Sequence, residues 1–533
     1  MNSPSTPRHT PKFEKMNPTI AVSIYHYENE SKLFMPLYVS ELRDRPHHIT
    51  LLLLEHEKEP ERKHYILVRN PSSLHYSRTN NQCFTCNYCL HRFKREDLKN
   101  AHMDNCRMHI AQNITYPSKD DCILKFKSII KEQMIPFAFY IDFESLLVKI
   151  DENDRDRDVH TPSGFCALRV SSYDHLNYEK PFLYSGDEPM KAFYEYLKAQ
   201  LKVIDDILAV NVKMALLTLE EQRAFDAAMR CANCNDFFSG LKSKLKCRHH
   251  CHVTGKYLAP VCTRCNLQLK PSKMKASQRF QTEYFCPVIA HNMRNYDGHL
   301  ILKNFVPFLD EAEMADIQVI AQNTEKYISF QIGALRFIDS FQFLSTSLDS
   351  LVSNLTKNGT DSLVHTRRDC NDDPEQLRLI SRKGVFPYEW FDSRDKMADT
   401  KLPPIGDFYS HLSEEGASDL DYAHAQAVWT HYNMTSFKDY HDLYLKTDVL
   451  LLADVFENFR TMAKANYHLD VLHYYGAPGF AWDAMLRMTG VELELMHDPD
   501  QSLLMEKGIR GGLSMISQRY SHANNPLVEG YDS

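Results

Sequence analysis

Residues 137–147 read F-A-F-Y-I-D-F-E-S-L-L. Residues 137–141 form an apolar and aromatic run of the kind that makes a buried strand. Asp142 and Glu144 interrupt it, two residues apart. On a strand, residues i and i+2 share a face. Both acids are therefore expected to point into one space at the edge of a buried sheet. Carboxylates so close repel each other unless a cation sits between them. Magnesium or manganese suits this place, because both are hard ions that take oxygen ligands. Two acids on a half-exposed strand give the same short pattern, so its meaning depends on the other stretches.

The 533 residues suffice for several domains, and 43% hydrophobic with 25% charged residues is ordinary for a soluble globular protein. No apolar run reaches membrane-spanning length, and no membrane partner is expected. Residues 1–16 are polar and Pro-rich, unlike a secretory leader. The 14 cysteines gather in C-x-x-C pairs, which points to metal binding in a reducing, intracellular compartment. A net charge of -8 argues against a basic coat for nucleic acid, so any DNA contact must come from a local groove.

Residues 1–18 show no period and read as disordered. Residues 49–54 and 64–68 read as strands around a charged turn, 55–62. Then Cys86-x2-Cys89 is followed, after twelve residues, by His102-x3-Cys106. The spacing predicts a ββα zinc finger with Phe93 and Leu98 as its miniature core and Cys83 as a spare thiol. After the acidic strand, an interleaved charged loop at 151–158 is expected as a hairpin tip. Strands at 165–171 and 180–184 and an amphipathic helix over 189–207 follow.

A second cluster, Cys231-x2-Cys234 and Cys262-x2-Cys265, predicts a four-thiolate zinc site. Beyond it, 285–290 reads as a buried strand leading into H-N-M-R-N-Y-D-G-H-L, residues 291–300, and a helix to about 305. Asp297 falls at the helix start, where the dipole also favours a carboxylate. A hairpin over Gly333 joins strands at 327–332 and 334–339, and 347–355 begins a helix. Residues 356–404, ending in K-L-P-P, read as irregular. Finally Y-L-K-T-D-V-L-L-L-A-D-V-F, residues 444–456, lies on a long helix. Tyr444 and Asp448 are i and i+4 and share one face.

In this order the three stretches resemble the DEDD exonuclease module of family B DNA polymerases. D-x-E is Asp142 and Glu144. N-x3-(F/Y)-D is Asn292, Tyr296 and Asp297. Y-x3-D is Tyr444 and Asp448, which marks the tyrosine subtype; Leu443 stands where the histidine subtype has His. Closer still, the chain resembles the protein-primed branch, and within it polymerases of Maverick/Polinton-like mobile elements and related viruses. The finger, K-L-P-P at 401–404, the zinc insert and G-I-R-G-G at 508–512 carry that likeness. The insert's R-H-H-C-H-V-T-G-K-Y, residues 248–257, resembles recombination endonuclease VII, with His250, His252, Thr254, Gly255 and Asn266 matching. There His250 would be a general base and Asn266 a metal ligand, while His249 occupies the position of the metal-binding Asp. A structural zinc insert is the favoured reading.

The resemblance implies a mixed α/β (α+β) chain with an RNase H-like exonuclease domain, a preceding zinc-finger region, a zinc-bound ββα-metal-like insert and the start of a polymerase domain. The implied bounds are 19–115 for the N-terminal region, 116–207 and 280–470 for the exonuclease, 208–279 for the insert and 471–533 for the polymerase start. Asp142, Glu144, Asp297 and Asp448 would hold two magnesium or manganese ions, and Tyr444 would orient water. Ser145, Asn292, Tyr296, Ser347 and Leu348 would grip a single-stranded 3′ end, with Arg510, Gly511 and Gly512 following the strand. The linker lacks the family's Tyr, with Ile509 in its place. No Asp-bearing polymerase motif precedes Ser533, so primer extension is not expected. DNA and a terminal protein primer are the implied partners, in the nucleus or wherever the element replicates. Two other readings stay open: a non-catalytic zinc-bearing DNA-binding remnant, and an endonuclease centred on His250 and Asn266.

Overall fold

The computed structural model describes residues 10–28, 33–42, 45–56, 59–70, 72, 83–86, 88, 91–108, 116–149, 158–173, 176, 179–210, 212–269, 285–323, 326–411, 414–509, 511, 520, 522, 527, 530 and 531. Cys89, Arg510, Gly512 and most of the acidic loop, 151–157, lie outside them. Two compact units emerge: Ile123–Glu494, and Met1–Cys122 with Leu495–Ser533.

In the second of these, part of the stretch expected to be disordered is helical: α1 spans Thr10–Met16. Glu14 explains it. Its carboxylate is buried and accepts Val22 N–H at 2.7 Å and Tyr38 O–H at 2.6 Å, tying the helix to a sheet. That sheet is built from β1 (Ile20–Glu28), β2 (Leu33–Tyr38), β3 (His47–His56) and β4 (Glu59–Leu67), in the order β2-β1-β3-β4. The charged turn expected at 55–62 is mostly strand. The finger has the expected ββα form: β5 (Phe84–Thr85), β6 (Arg92–Phe93) and α2 (Glu96–Cys106). Leu98 does not join its core and is 49% exposed. Phe93 packs instead against His91 and His102, ring centroids 4.8 and 4.9 Å away.

The larger unit begins with β7 (Ile123–Leu124), then β8 (Phe137–Lys149), β9 (Asp158–Ser171), β10 (Phe182–Ser185) and α3 (Pro189–Ala209). The insert follows as α4 (Leu219–Ala227), β11 (Lys246–His250), β12 (Tyr257–Cys262) and α5 (Thr263–Gln268). The sheet resumes with β13 (Cys286–Ala290), α6 (Asp297–Phe305), α7 (Glu311–Ala315), β14 (Gln318–Ala321), β15 (Tyr327–Ile332) and β16 (Leu335–Asp339). Helices α8 (Leu348–Leu355), α9 (Val364–Asp369), α10 (Pro374–Ile380), α11 (Asp419–His431), α12 (Phe437–Tyr467) and α13 (Ala477–Thr489) complete it. Residues 471–494, taken from sequence as the start of another domain, pack within this unit. No helix among the described residues is long and apolar enough to cross a membrane.

The seven strands run β10-β9-β8-β13-β16-β15-β14. The acid-bearing strand β8 is therefore internal, antiparallel to β9 and parallel to β13, and not at the sheet edge. Its period of two divides two cores. Phe137, Phe139, Ile141 and Phe143 pack with Phe193 and Leu197 of α3 and Ile301 and Phe305 of α6. Ala138 and Tyr140 pack on the other side with Leu445, Val449 and Phe456 of α12 and Val352 of α8. Asp142 and Glu144 continue the α12-facing row. At the far end of α12, buried Arg460 grips Asp470 through Nε (2.8 Å) and Nη2 (2.7 Å) and donates to the Ile135 carbonyl. That fixes the long helix against the start of β8.

Candidate active site

The carboxylates come from three elements: the middle of β8, the start of α6, and α12. Asp142 is half-buried and Glu144 buried, both on β8. Asp297, 4% exposed, is the first residue of α6, as its position before an apolar-periodic helix predicts. Asp448, 3% exposed, lies one turn beyond Tyr444 on α12. Each of the three raised carboxyls feels the charge of at least one other acid of the set. Burial first, then Asp448, raises the Asp142 carboxyl to about 7, with Lys383 opposing. Glu144 is pushed well up by burial, then by Asp142 and Asp448. Asp297 rises by burial, then through Asp142 and Asp339. Asp339, wholly buried at the end of β16, receives Arg294 N–H at 3.1 Å and Phe341 N–H at 2.9 Å.

Such a pocket needs positive charge. One source is Lys383, whose Nζ lies 2.6 Å from Asp448 Oδ2. Burial alone would lower this ammonium, but Asp448, Tyr388 and Asp142 outweigh it and hold it protonated. The other oxygen of Asp448, Oδ1, is buried and has no hydrogen-bond partner. A buried acceptor left unmade is costly, and a hard divalent cation would satisfy it. Carboxylate oxygens are the donor type that magnesium and manganese take.

Tyr444 does not stand alone. Its hydroxyl lies 2.9 Å from that of Tyr388, and burial followed by the charge of Asp448 keeps its phenol protonated. Gly384 makes this possible: a Cβ there would lie 3.3 Å from the Tyr444 ring. Lys383, Gly384 and Tyr388 all come from the stretch read as irregular, as do α9 and α10. Sequence reading missed all three. The available signal was a lysine and glycine directly before the apolar and aromatic run V-F-P-Y, residues 385–388.

The expected strand-gripping residues separate into two groups. Tyr296 accepts or donates at 2.8 Å with His160 Nδ1 and packs edge-on to that ring. Ser145 is buried close to the Tyr296 phenol, which burial raises to about 12. Asn292 is exposed in a left-handed turn, its Oδ1 taken by Asn295 Nδ2 at 2.6 Å. Ser347, by contrast, caps α8, accepting Ser350 N–H at 3.3 Å, and Leu348 is 6% exposed inside the α12 core. Gly511 belongs to the other unit.

Two cysteine clusters take the form of metal sites. Cys231, Cys234, Cys262 and Cys265 bring their sulfurs within 4.8 Å of one another, and the sulfurs of Cys86 and Cys106 and a ring nitrogen of His102 do likewise. Four thiolates at that spacing suit zinc. In the insert, β11, β12 and α5 form a ββα unit. His249 is buried there with Nδ1 3.2 Å from Asn266 Oδ1, while the His250 ring lies 4.6 Å from that of His252. The oxygen expected to bind metal on Asn266 thus faces an imidazole that burial holds neutral.

Residues 283–526 match the family model of DNA polymerase type B, organellar and viral. The match takes in Asp297, Lys383, Tyr444 and Asp448, and Asp142 and Glu144 precede it. No curated protein and no solved structure matches the chain. The match spans a little under half of the chain, and over that part the chain is similar to family B DNA polymerases.

Proposed function

We propose that this chain belongs to a family B DNA polymerase and carries its metal-dependent 3′→5′ exonuclease, of RNase H-like fold and of the protein-primed kind, which trims single-stranded DNA ends. One observation carries the reading: a buried, unpartnered Asp448 oxygen beside Lys383, within a pocket of three further carboxylates. Four acids in a dry pocket are costly unless they are used.

Asp142, Glu144, Asp297 and Asp448 would hold two magnesium or manganese ions. When bound, these ions activate water and stabilise the leaving 3′ oxygen. The chain's own groups do the rest. Lys383 pairs with Asp448 and balances part of the carboxylate excess. Tyr388 fixes the Tyr444 hydroxyl, which orients the attacking water. Tyr296, steadied by His160, offers a ring on which any base can stack, which suits trimming without sequence preference. Ser145 and Asn292 lie beside it. The two cysteine clusters act as structural zinc sites, and the terminal protein primer remains a partner implied by the resemblance alone.

The test is shortening of 5′-labelled single-stranded DNA in magnesium or manganese. The wild-type chain removes nucleotides from the 3′ end, and replacing Asp142 and Glu144 together by Ala abolishes removal while strand binding persists. Shortening that survives this change but is lost in His250→Ala would move the chemistry to the insert.

A further inference from the structure

Helix α12 opens F-K-D-Y-H-D-L-Y, so His441 sits three residues before Tyr444 on the same side of the helix. The imidazole is wholly buried. Its Nε2 lies 2.9 Å from Ser163 Oγ and its Nδ1 3.0 Å from Asp442 Oδ1. Lys438 pairs with the second oxygen of Asp442. With Nδ1–H donating to the carboxylate, Nε2 keeps its lone pair and the Ser163 hydroxyl donates to it. The three residues have the composition of a hydrolytic triad, but Ser163 is wholly buried and no substrate can reach it.

Its place in the sheet suggests a different task. Glu144 pairs with Gly164 and Ser145 with Pro162, so Ser163 is the extra residue of a β-bulge on β9. Bulges re-aim side chains beside active sites, and this one turns Ser163 toward α12, directly across from the catalytic strand. Gly164 lets the helix come close: a Cβ there would lie 2.9 Å from His441 Cε1 and 2.8 Å from the Tyr184 carbonyl. Phe386 and Phe391 flank the same imidazole at 6.0 and 5.5 Å. They belong to the segment that supplies Lys383 and Tyr388, and the Phe391 carbonyl accepts Leu147 N–H of β8 at 3.3 Å. One imidazole therefore touches the β9 bulge, α12 and the Lys383 segment.

We propose that Ser163, His441 and Asp442 form a positioning relay that sets the height of α12 over β8, and with it the approach of Tyr444 and Asp448 to Asp142 and Glu144. The proposal rests on the nuclease reading above. Its central link is Ser163 to His441; Asp442 orients the ring.

The experiment compares Ser163→Ala, His441→Asn and His441→Gln with the wild-type chain, measuring thermal unfolding, single-turnover nucleotide release in magnesium, and manganese affinity by calorimetry. Gln reaches the position of Nε2 and keeps the bond to Ser163, whereas Asn is too short. All three variants lose some thermal stability. Ser163→Ala and His441→Asn slow release about 10-fold to 100-fold, as small misplacements of reacting groups do, with the KM for DNA unchanged. They also weaken manganese binding, because Asp448 moves with α12. His441→Gln stays near wild type in both readouts. Equal rates and affinities in all variants, or rates that simply follow stability with Gln no better than Asn, overturn the relay. A wild-type chain that releases no nucleotide refutes the nuclease reading instead, and the manganese affinities then decide the relay by themselves.

Discussion

Lys383 separates what single residues reveal from what they conceal. The acids Asp142, Glu144, Asp297 and Asp448 are legible because a carboxylate inside an apolar strand or on an apolar helix face has no cheap structural explanation. A lysine in a Pro- and Gly-containing segment has many, and its meaning depends on a contact with Asp448, 65 residues later in sequence. Lys383→Met keeps the stem and removes the charge. It should lower single-turnover nucleotide release by about 100-fold to 1,000-fold, comparable to losing a preorganised charge donor. The carboxylates also set a pH dependence in metal-free protein. The Asp142 carboxyl is raised to about 7 in the folded chain, above the ordinary value of 3.8. Its contribution to stability is thus fully present below about pH 4 and is lost as pH rises through 7. With chelator present, the thermal midpoint should fall across that window, and Asp142→Asn should flatten the fall. Saturating magnesium should reverse the trend, since the ion binds the deprotonated site.

Among elements, the strands and helices with a strong period were legible: β8, β13, α3 and α12 lie where their apolar patterns put them. The failures have physical causes. Helix α1 is held by the hydrogen bonds of one buried glutamate, which no period announces. Helices α9 and α10 are six and seven residues long, too short to show an amphipathic repeat. The edge strand β14 is exposed along its whole length and lacks alternation. The resemblance implies a DNA contact for Ser347, whose side chain caps α8. Ser347→Ala should cost about 1 kcal/mol of stability in chemical denaturation, the usual loss of a cap. If strand binding is unchanged in that variant, Ser347 serves the helix and not the DNA.

The whole molecule joins parts that are far apart in sequence. Val288 of β13 pairs with Phe139 of β8 across the entire zinc insert, so the central parallel pairing closes a loop of roughly 150 residues, slow by its topology. The sulfurs of Cys231, Cys234, Cys262 and Cys265 lie within 4.8 Å of one another, and zinc held there would tie residues 231–265 into one knot and shorten the chain that must be closed. Refolding in the presence of a zinc chelator should therefore be slower, while the unfolding rate of intact β8 changes little, as stopped-flow fluorescence can measure. A vectorial consequence follows for the living cell. At ~5–20 residues per second, Asp142 waits on the order of 15–60 s on the ribosome for Asp448. Lys383 emerges before that last acid does. The nascent chain thus receives its counter-charge before its full burden of negative charge, and the carboxylates come together only when the final long helix has been made.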